Sequence, residues 1–227
     1  NSVSVGRCKF QLKKLYLQIV KKVDHLPLNN VSLKLEKGKI TCLLGESGNG
    51  KTTFAEILQK NYIQEKGEII INRSINLNEI SISNWRKHIS VVPQNIQLFN
   101  GTVLENIILD EHLDEQKLQS VINLGFEKFI NSLPQNILTI VGEEGVNLSG
   151  GQKQLLGWMR ALYHNPQFLI LDEPTSSLDK ENRDFIYKLI DKLKDTTIIF
   201  IISHHLEDLK NISTDIYLLK DTRLKII

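Results

Sequence analysis

Cysteine is nearly missing from this 227-residue sequence, which contains only Cys8 and Cys42. Two thiols cannot build a disulfide framework and no Cys-x-x-Cys pair is there to hold zinc, so a reduced, cytosolic compartment is expected. Cys42 lies in the apolar run 40–44 and reads as a small core residue. Five Pro and 13 Gly are too few for a collagen-like or low-complexity chain, and 41% hydrophobic content excludes disorder. A surplus of either charge is also missing. The 28 Lys and Arg against 26 Asp and Glu leave +2, which argues against a dedicated nucleic-acid binder. No run approaches the ~18 consecutive apolar residues of a bilayer span. No basic segment followed by an apolar one marks a signal peptide. The first residue is Asn1 rather than Met, so the expectation is a piece of a longer polypeptide, with any membrane-embedded part outside it.

What is present is a series of short apolar runs of strand length, at 14–20, 31–35, 40–44, 68–71, 89–92, 168–171, 197–202 and 216–219. Several carry no polar residue, the pattern of strands covered on both faces in a mostly parallel sheet. Helix-like spacing separates them. Leu118, Val121, Ile122, Gly125, Phe126, Phe129 and Leu133 form one apolar stripe ended by Pro134, and 180–193 forms another, with Phe185, Ile186, Leu189, Ile190 and Leu193 inward. Strands alternating with helices predict an α/β fold. Residues 95–165 contain helix-like segments and few strand candidates. They read as a helical subdomain inserted into a core of residues 1–94 and 166–227.

Three motifs carry chemistry. Gly45-Glu46-Ser47-Gly48-Asn49-Gly50-Lys51-Thr52 follows the run 40–44 and opens a helix-like segment at 53–59. This Gly-x-x-x-x-Gly-Lys-Thr loop lets successive backbone N–H groups face an anion at a helix N-terminus, where Gly45, Ser47, Gly48, Asn49, Gly50 and Thr53 complete the cradle. Lys51 is expected along the β- and γ-phosphates, and the Thr52 hydroxyl on Mg²⁺. A plain Gly-rich turn is the bland alternative, but it has no use for the Lys-Thr pair. Next, the run 168–171 delivers Asp172 and Glu173 to a strand end. Asp172 suits the metal shell and Glu173 suits polarising a water, although strand-end carboxylates also serve as caps. Finally, Leu148-Ser149-Gly150-Gly151-Gln152 precedes a helix-like run at 153–164 and lies 23 residues before Asp172, counted from Ser149. It offers a hydroxyl and free N–H groups, and also an ordinary N-cap.

At this point the sequence resembles the nucleotide-binding domain of ABC transporters, whose hallmark is this Leu-Ser-Gly-Gly-Gln run. Further elements follow in register: Gln94 in Val-Val-Pro-Gln, Asp172-Glu173, Ser176-Ser177-Leu178-Asp179, and Ser203-His204 after the run 197–202. The resemblance implies a P-loop NTPase (RecA-like) core with a mostly parallel sheet, an N-terminal antiparallel β part and an inserted helical subdomain. It implies ATP and Mg²⁺, with Glu173, His204 and Gln94 as catalytic residues and Thr52, Gln94 and Asp172 around the metal. It also implies a homodimer, or pairing with a second such domain. Ser149, Gly150, Gly151, Gln152 and Asp179 then act in trans on the nucleotide held by the opposite phosphate loop. His205, beside His204, leaves the histidine assignment open by one residue, because strand alternation forbids both from facing one site. Asp179 equally suits a helix N-cap. The remaining histidines, His25, His88, His112 and His164, show no ligand spacing.

Two stretches, 98–107 and Val141-Gly142-Glu143-Glu144-Gly145, look like exporter-type segments, the second like the loop that touches a membrane domain. The resemblance therefore implies an exporter motor at the cytoplasmic face of the cell membrane, its transmembrane domain fused upstream, with no nucleic acid partner. The chain departs from the family where the usual adenine-stacking aromatic falls, near Val20, with Tyr16 and Phe10 the nearest aromatics, and in the run Lys153-Gln154-Leu155-Leu156, which is less basic than usual. The rivals are a soluble, non-transport ABC ATPase and a non-hydrolysing, nucleotide-sensing module. Only 55 positions separate Gln94 from Ser149, without heptads, which leaves no room for the coiled coil of the chromosomal type.

Overall fold

The unbroken apolar runs become the central strands of a six-stranded sheet. The computed structural model describes residues 14–19, 31–46, 48–62, 67–109, 111–142, 145–204, 209–210, 212–220 and 223–227. The sheet comprises β3 (Ile40–Leu44), β6 (Ile89–Val92), β9 (Phe168–Asp172), β10 (Ile198–Ser203), β11 (Asp215–Lys220) and β12 (Arg223–Ile226), in the order β12-β11-β3-β10-β9-β6. All neighbours pair in parallel except β11 with β12.

Alternation explains why β9 and β10 are apolar up to their last residue. Leu169, Leu171, Ile199 and Ile201 enter one core with Ile40, Cys42 and Leu44, while Phe168, Ile170, Ile198, Phe200 and Ile202 enter a second core on the opposite face. The second core is closed by α1 (Lys51–Leu58), through Phe54, Ala55, Ile57 and Leu58, and by a four-stranded antiparallel sheet. That sheet runs β2-β1-β4-β5, from β1 (Lys14–Ile19), β2 (Val31–Glu36), β4 (Gly67–Ile71) and β5 (Ile75–Asn76). In β2 only alternate residues, Val31, Leu33 and Leu35, are buried, as in a sheet with one covered face. The expected mostly parallel core and antiparallel N-terminal part are therefore both present.

The short α2 (Ile82–Arg86), capped by Ser81, precedes β6 and was not legible as a helix. Between β6 and β9 lie α3 (Val103–Ile108), α4 (Glu115–Ile122), α5 (Glu127–Asn131) and α6 (Gly150–Tyr163), with one two-residue pair, β7 (Gly101–Thr102) and β8 (Ile140–Val141). α3 and α4 pack on α6. α7 (Lys180–Leu193) has the expected bounds and buries Ile186, Leu189 and Ile190.

One expectation needs correction. The single stripe from Leu118 to Leu133 is two helices, α4 and α5, because Gly125 between them takes φ +122°. The glycine also permits close packing. A Cβ there would stand 2.5 Å from the ring of Phe185, which meets Phe126 edge-on at 5.2 Å between centroids.

Candidate active site

The parallel register places the phosphate loop and Asp172-Glu173 on one edge. Ser203 of β10 lies opposite Leu44 of β3, Ile202 lies opposite Asp172 of β9, and Val92 of β6 lies opposite Leu171. The segments that leave these strands are the phosphate loop, Asp172-Glu173, Ser203-His204 and Pro93-Gln94. All emerge at the carboxyl edge, where open α/β sheets bind ligands. They enclose a cavity of about 940 Å³ lined by Gly45, Glu46, Gly48, Gly50, Lys51, Thr52, Thr53, Gln94, Asp172, Glu173 and His204, with apolar Leu44, Leu218 and Ile227.

The loop is shaped for an anion. Gly48 and Gly50 take φ +85° and +90°, and Gly50 is the N-cap of α1 without any side-chain cap. The first N–H groups of α1 therefore meet no side-chain acceptor, and the positive helix end faces the cavity. Gly45 is required by close approach: a Cβ would lie 2.8 Å from the Leu219 carbonyl oxygen of β11. Lys51 Nζ donates to the carbonyls of Gly45 at 2.6 Å and Glu46 at 2.9 Å, which holds its charge over the loop. Asn49 does not line the cavity; its amide donates to the Leu219 carbonyl at 3.3 Å and ties the loop to β11. Ser47 and His205 lie outside the described residues, as do Val20 and Phe10.

Glu173 is 7% exposed and left-handed at φ +48°, a conformation that costs a non-glycine residue on the order of 1–2 kcal/mol. Its N–H donates to the Ile202 carbonyl at 2.9 Å, so the residue after β9 stays attached to β10. Its carboxylate is held from two sides. His204 Nδ1 is 2.5 Å from Oε1, and Ser203 Oγ donates to Oε2 at 3.1 Å. Asp172, half-buried at the end of β9, has its carboxyl pushed up by burial and then by the charge of Glu173, with Lys51 opposing. A second positive charge would relieve that carboxylate.

The donor set around that point, Asp172, the Thr52 hydroxyl and the Gln94 amide oxygen, is of the hard oxygen type that suits Mg²⁺. Among the described residues no group of three or more His, Cys, Asp or Glu could hold a metal alone. That fits an ion that keeps waters and phosphate oxygens in its shell.

Ser149 caps α6 in a reciprocal capping box with Gln152, and Asp179 caps α7 by accepting from Asn182 N–H at 2.9 Å. Neither the 149–152 turn nor Asp179 lines the cavity holding Lys51. The structure thus separates the expected residues into two groups. Sequence reasoning overlooked the roles of Gln154, whose buried amide donates to the Glu173 carbonyl, and of Ser203. A lone amide on the apolar face of the 153–164 run was the available signal. No helix among the described residues is long and apolar enough to cross a membrane.

The profile of a family described as "ABC transporter" matches residues 28–176. The ATP-dependent lipid A-core flippase of Haemophilus influenzae (strain 86-028NP) is 38% identical over 191 residues, 83% of this chain and 32% of its own. The alpha-hemolysin translocation ATP-binding protein HlyB of Escherichia coli O157:H7 is 39% identical over 189 residues, 81% of this chain and 26% of its own. The solved structure of a bacterial Atm1-family ABC exporter with ATP bound matches at a TM-score of 0.84 and 28% identity, covering 94% of this chain and 38% of that one. The chain spans between about a quarter and two fifths of the length of these relatives.

Proposed function

The chain belongs to the ABC transporter family, as an ATPase domain homologous to those of flippases and translocators, and from that premise we propose that it is the ATP-hydrolysing motor of an exporter. The observation that carries this reading is the cavity where the phosphate loop, Gln94, Asp172, Glu173 and His204 converge.

The reaction is attack of a water oxygen on the γ-phosphorus of ATP, with the γ-phosphorus to bridging-oxygen bond breaking and its electron pair leaving on ADP. The backbone N–H groups of the loop and Lys51 bind the triphosphate and draw off its charge. Glu173 takes the proton of the water. Its carboxylate is turned into place by Ser203 and His204, so that the lone pair facing the water is the one they leave free. Mg²⁺, when bound, supplies further neutralisation of the phosphate oxygens, and Thr52, Gln94 and Asp172 would hold it.

Ser149, Gly150, Gly151, Gln152 and Asp179 lie apart from this cavity, which supports a head-to-tail pair in which they close over the nucleotide of a second copy or a second such domain. In the same reading, 1–94 and 166–227 form the ATPase core and 95–165 the helical subdomain. The motor sits at the cytoplasmic face of a membrane beneath a transmembrane domain, which is fused upstream in the full-length chain. The held Glu173 carboxylate favours a hydrolysing enzyme over a nucleotide sensor.

Phosphate release measured with Mg²⁺ and ATP tests the reading. Glu173→Gln should bind ATP as the parent does and lose about 10²–10⁴-fold in turnover, the usual contribution of a positioned general base. Parental turnover in that variant would overturn the reading.

A further inference from the structure

Gln154 is 2% exposed on the inner face of α6. Its Nε2 donates to the Glu173 carbonyl at 2.9 Å, and its Oε1 accepts from the Ser177 N–H at 3.0 Å. One partner only accepts and the other only donates, so the orientation of the amide is fixed. Four residues on, on the same face, the buried Trp158 donates its indole N–H to the Pro174 carbonyl at 3.2 Å. Gly150 and Gly151 touch the same segment. A Cβ on them would stand 3.3 Å from Ser177 Cβ and 3.1 Å from the Ser177 carbonyl oxygen. The segment 173–177 is thus laid along the first turns of α6, with Gln154 gripping both of its ends.

We propose that Gln154 is a positioning residue that couples the two half-sites of one chain. This rests on the reading that Glu173 acts on water in its own cavity while the 149–152 turn closes over the nucleotide of a second copy. Glu173 sits at a left-handed φ, so the direction of its carboxylate depends on how its backbone is held, and Gln154 holds its carbonyl. Ser149 is the N-cap of the helix that carries Gln154 five residues on. A displacement of that turn on meeting a triphosphate therefore reaches the Glu173 backbone through one rigid amide. Turnover in one cavity becomes dependent on engagement of the other.

The test uses the intact full-length protein. Gln154→Met keeps length and apolar burial and removes both hydrogen bonds. Its kcat should fall about tenfold to a hundredfold, as small misplacements of a reacting group do. KM for ATP should stay within about twofold, because ground-state binding is untouched. In a Glu173→Gln background, ATP-dependent pairing should be as complete with Gln154→Met as without it. Gln154→Glu keeps the acceptor for Ser177 but regains a donor toward the Glu173 carbonyl only when protonated. Burial raises that carboxyl's pKa, so its kcat relative to the parent should climb as pH is lowered from about 8 to about 6. Parental kcat in Gln154→Met, or a Gln154→Glu pH profile parallel to the parent's, overturns the coupling. Should Gln154→Met fail to fold, the Gln154→Glu profile decides. Parental turnover in Glu173→Gln would sink the hydrolytic reading itself; an inactive Glu173→Gln beside a fully active Gln154→Met sinks the coupling alone.

Discussion

His204 Nδ1 stands 2.5 Å from Glu173 Oε1, and the two residues come from the ends of neighbouring parallel strands, 31 positions apart in the chain. An ionised carboxylate only accepts, so Nδ1 carries the proton in this contact. Ser203, one residue earlier, reaches the other oxygen of the same carboxylate.

The two contacts on Glu173 should be separable by mutation. Ser203→Ala removes a hydrogen bond to a charged group, worth about 1.5–3 kcal/mol. Only part of that should appear in the barrier, so a fall in kcat of roughly tenfold is expected, with His204 still in place. His204→Ala should cost more, because it also opens the cavity side of Glu173. Equal rates for parent and Ser203→Ala in a phosphate-release assay would remove Ser203 from the machinery.

Lys51 lies against the carbonyls of its own loop, and its charge has no carboxylate partner within salt-bridge distance among the described residues. Lys51→Ala should abolish ATP binding at concentrations where the parent is saturated, as read by fluorescent-nucleotide titration. The loop backbone and α1 should persist in far-UV circular dichroism. Unchanged nucleotide affinity would count against the phosphate-loop assignment.

Gly125→Ala combines two costs. A φ of +122° is strained for any L side chain, and the added Cβ meets the Phe185 ring at 2.5 Å. Together these predict a loss of about 2–4 kcal/mol of stability, measured by urea unfolding. Gly38→Ala has a similarly left-handed φ of +82° but open space around it, and should lose only the conformational part.

Burial pushes the Cys42 thiol up to about 12, from an ordinary value of 9.0. The raised value in the folded state means that Cys42 contributes stability below about 9.0, and this is lost progressively as pH climbs toward 12. A Cys42→Ala variant should show a shallower alkaline decline. In the native protein the Cys42 peptide should resist iodoacetamide at neutral pH and become labelled only on unfolding. Prompt native labelling would contradict the buried position.

Much of this was legible before any coordinates. β3, β6 and α7 have the bounds that apolar run length and periodicity assign, because a strand covered on both faces must be largely apolar, with Thr41 and Ser90 the small hydroxyl residues admitted. The phosphate loop was legible because its chemistry is local: glycines, Lys51 and Thr52 act within one turn of chain. The break at Gly125 was not, since a glycine within an apolar stripe is ambiguous until its φ and the Phe185 ring packed against it are known. The contacts that Gln154 and Ser203 make with Glu173 were not legible for the same reason, as each reaches it from another element. β12 was missed because its pairing with β11, not its own mostly exposed residues, defines it.

The sequence by itself determined the central strands, α7 and the residues of the phosphate loop, since those depend on neighbours along the chain. Only the tertiary structure decided that β3, β10, β9 and β6 lie side by side with their carboxyl ends level. That alignment brings Lys51, Gln94, Asp172, Glu173 and His204 to one cavity and leaves the 149–152 turn out of it. Strand order and register are set by how whole faces pack into two cores, a sum over many distant contacts that no local stretch of residues contains.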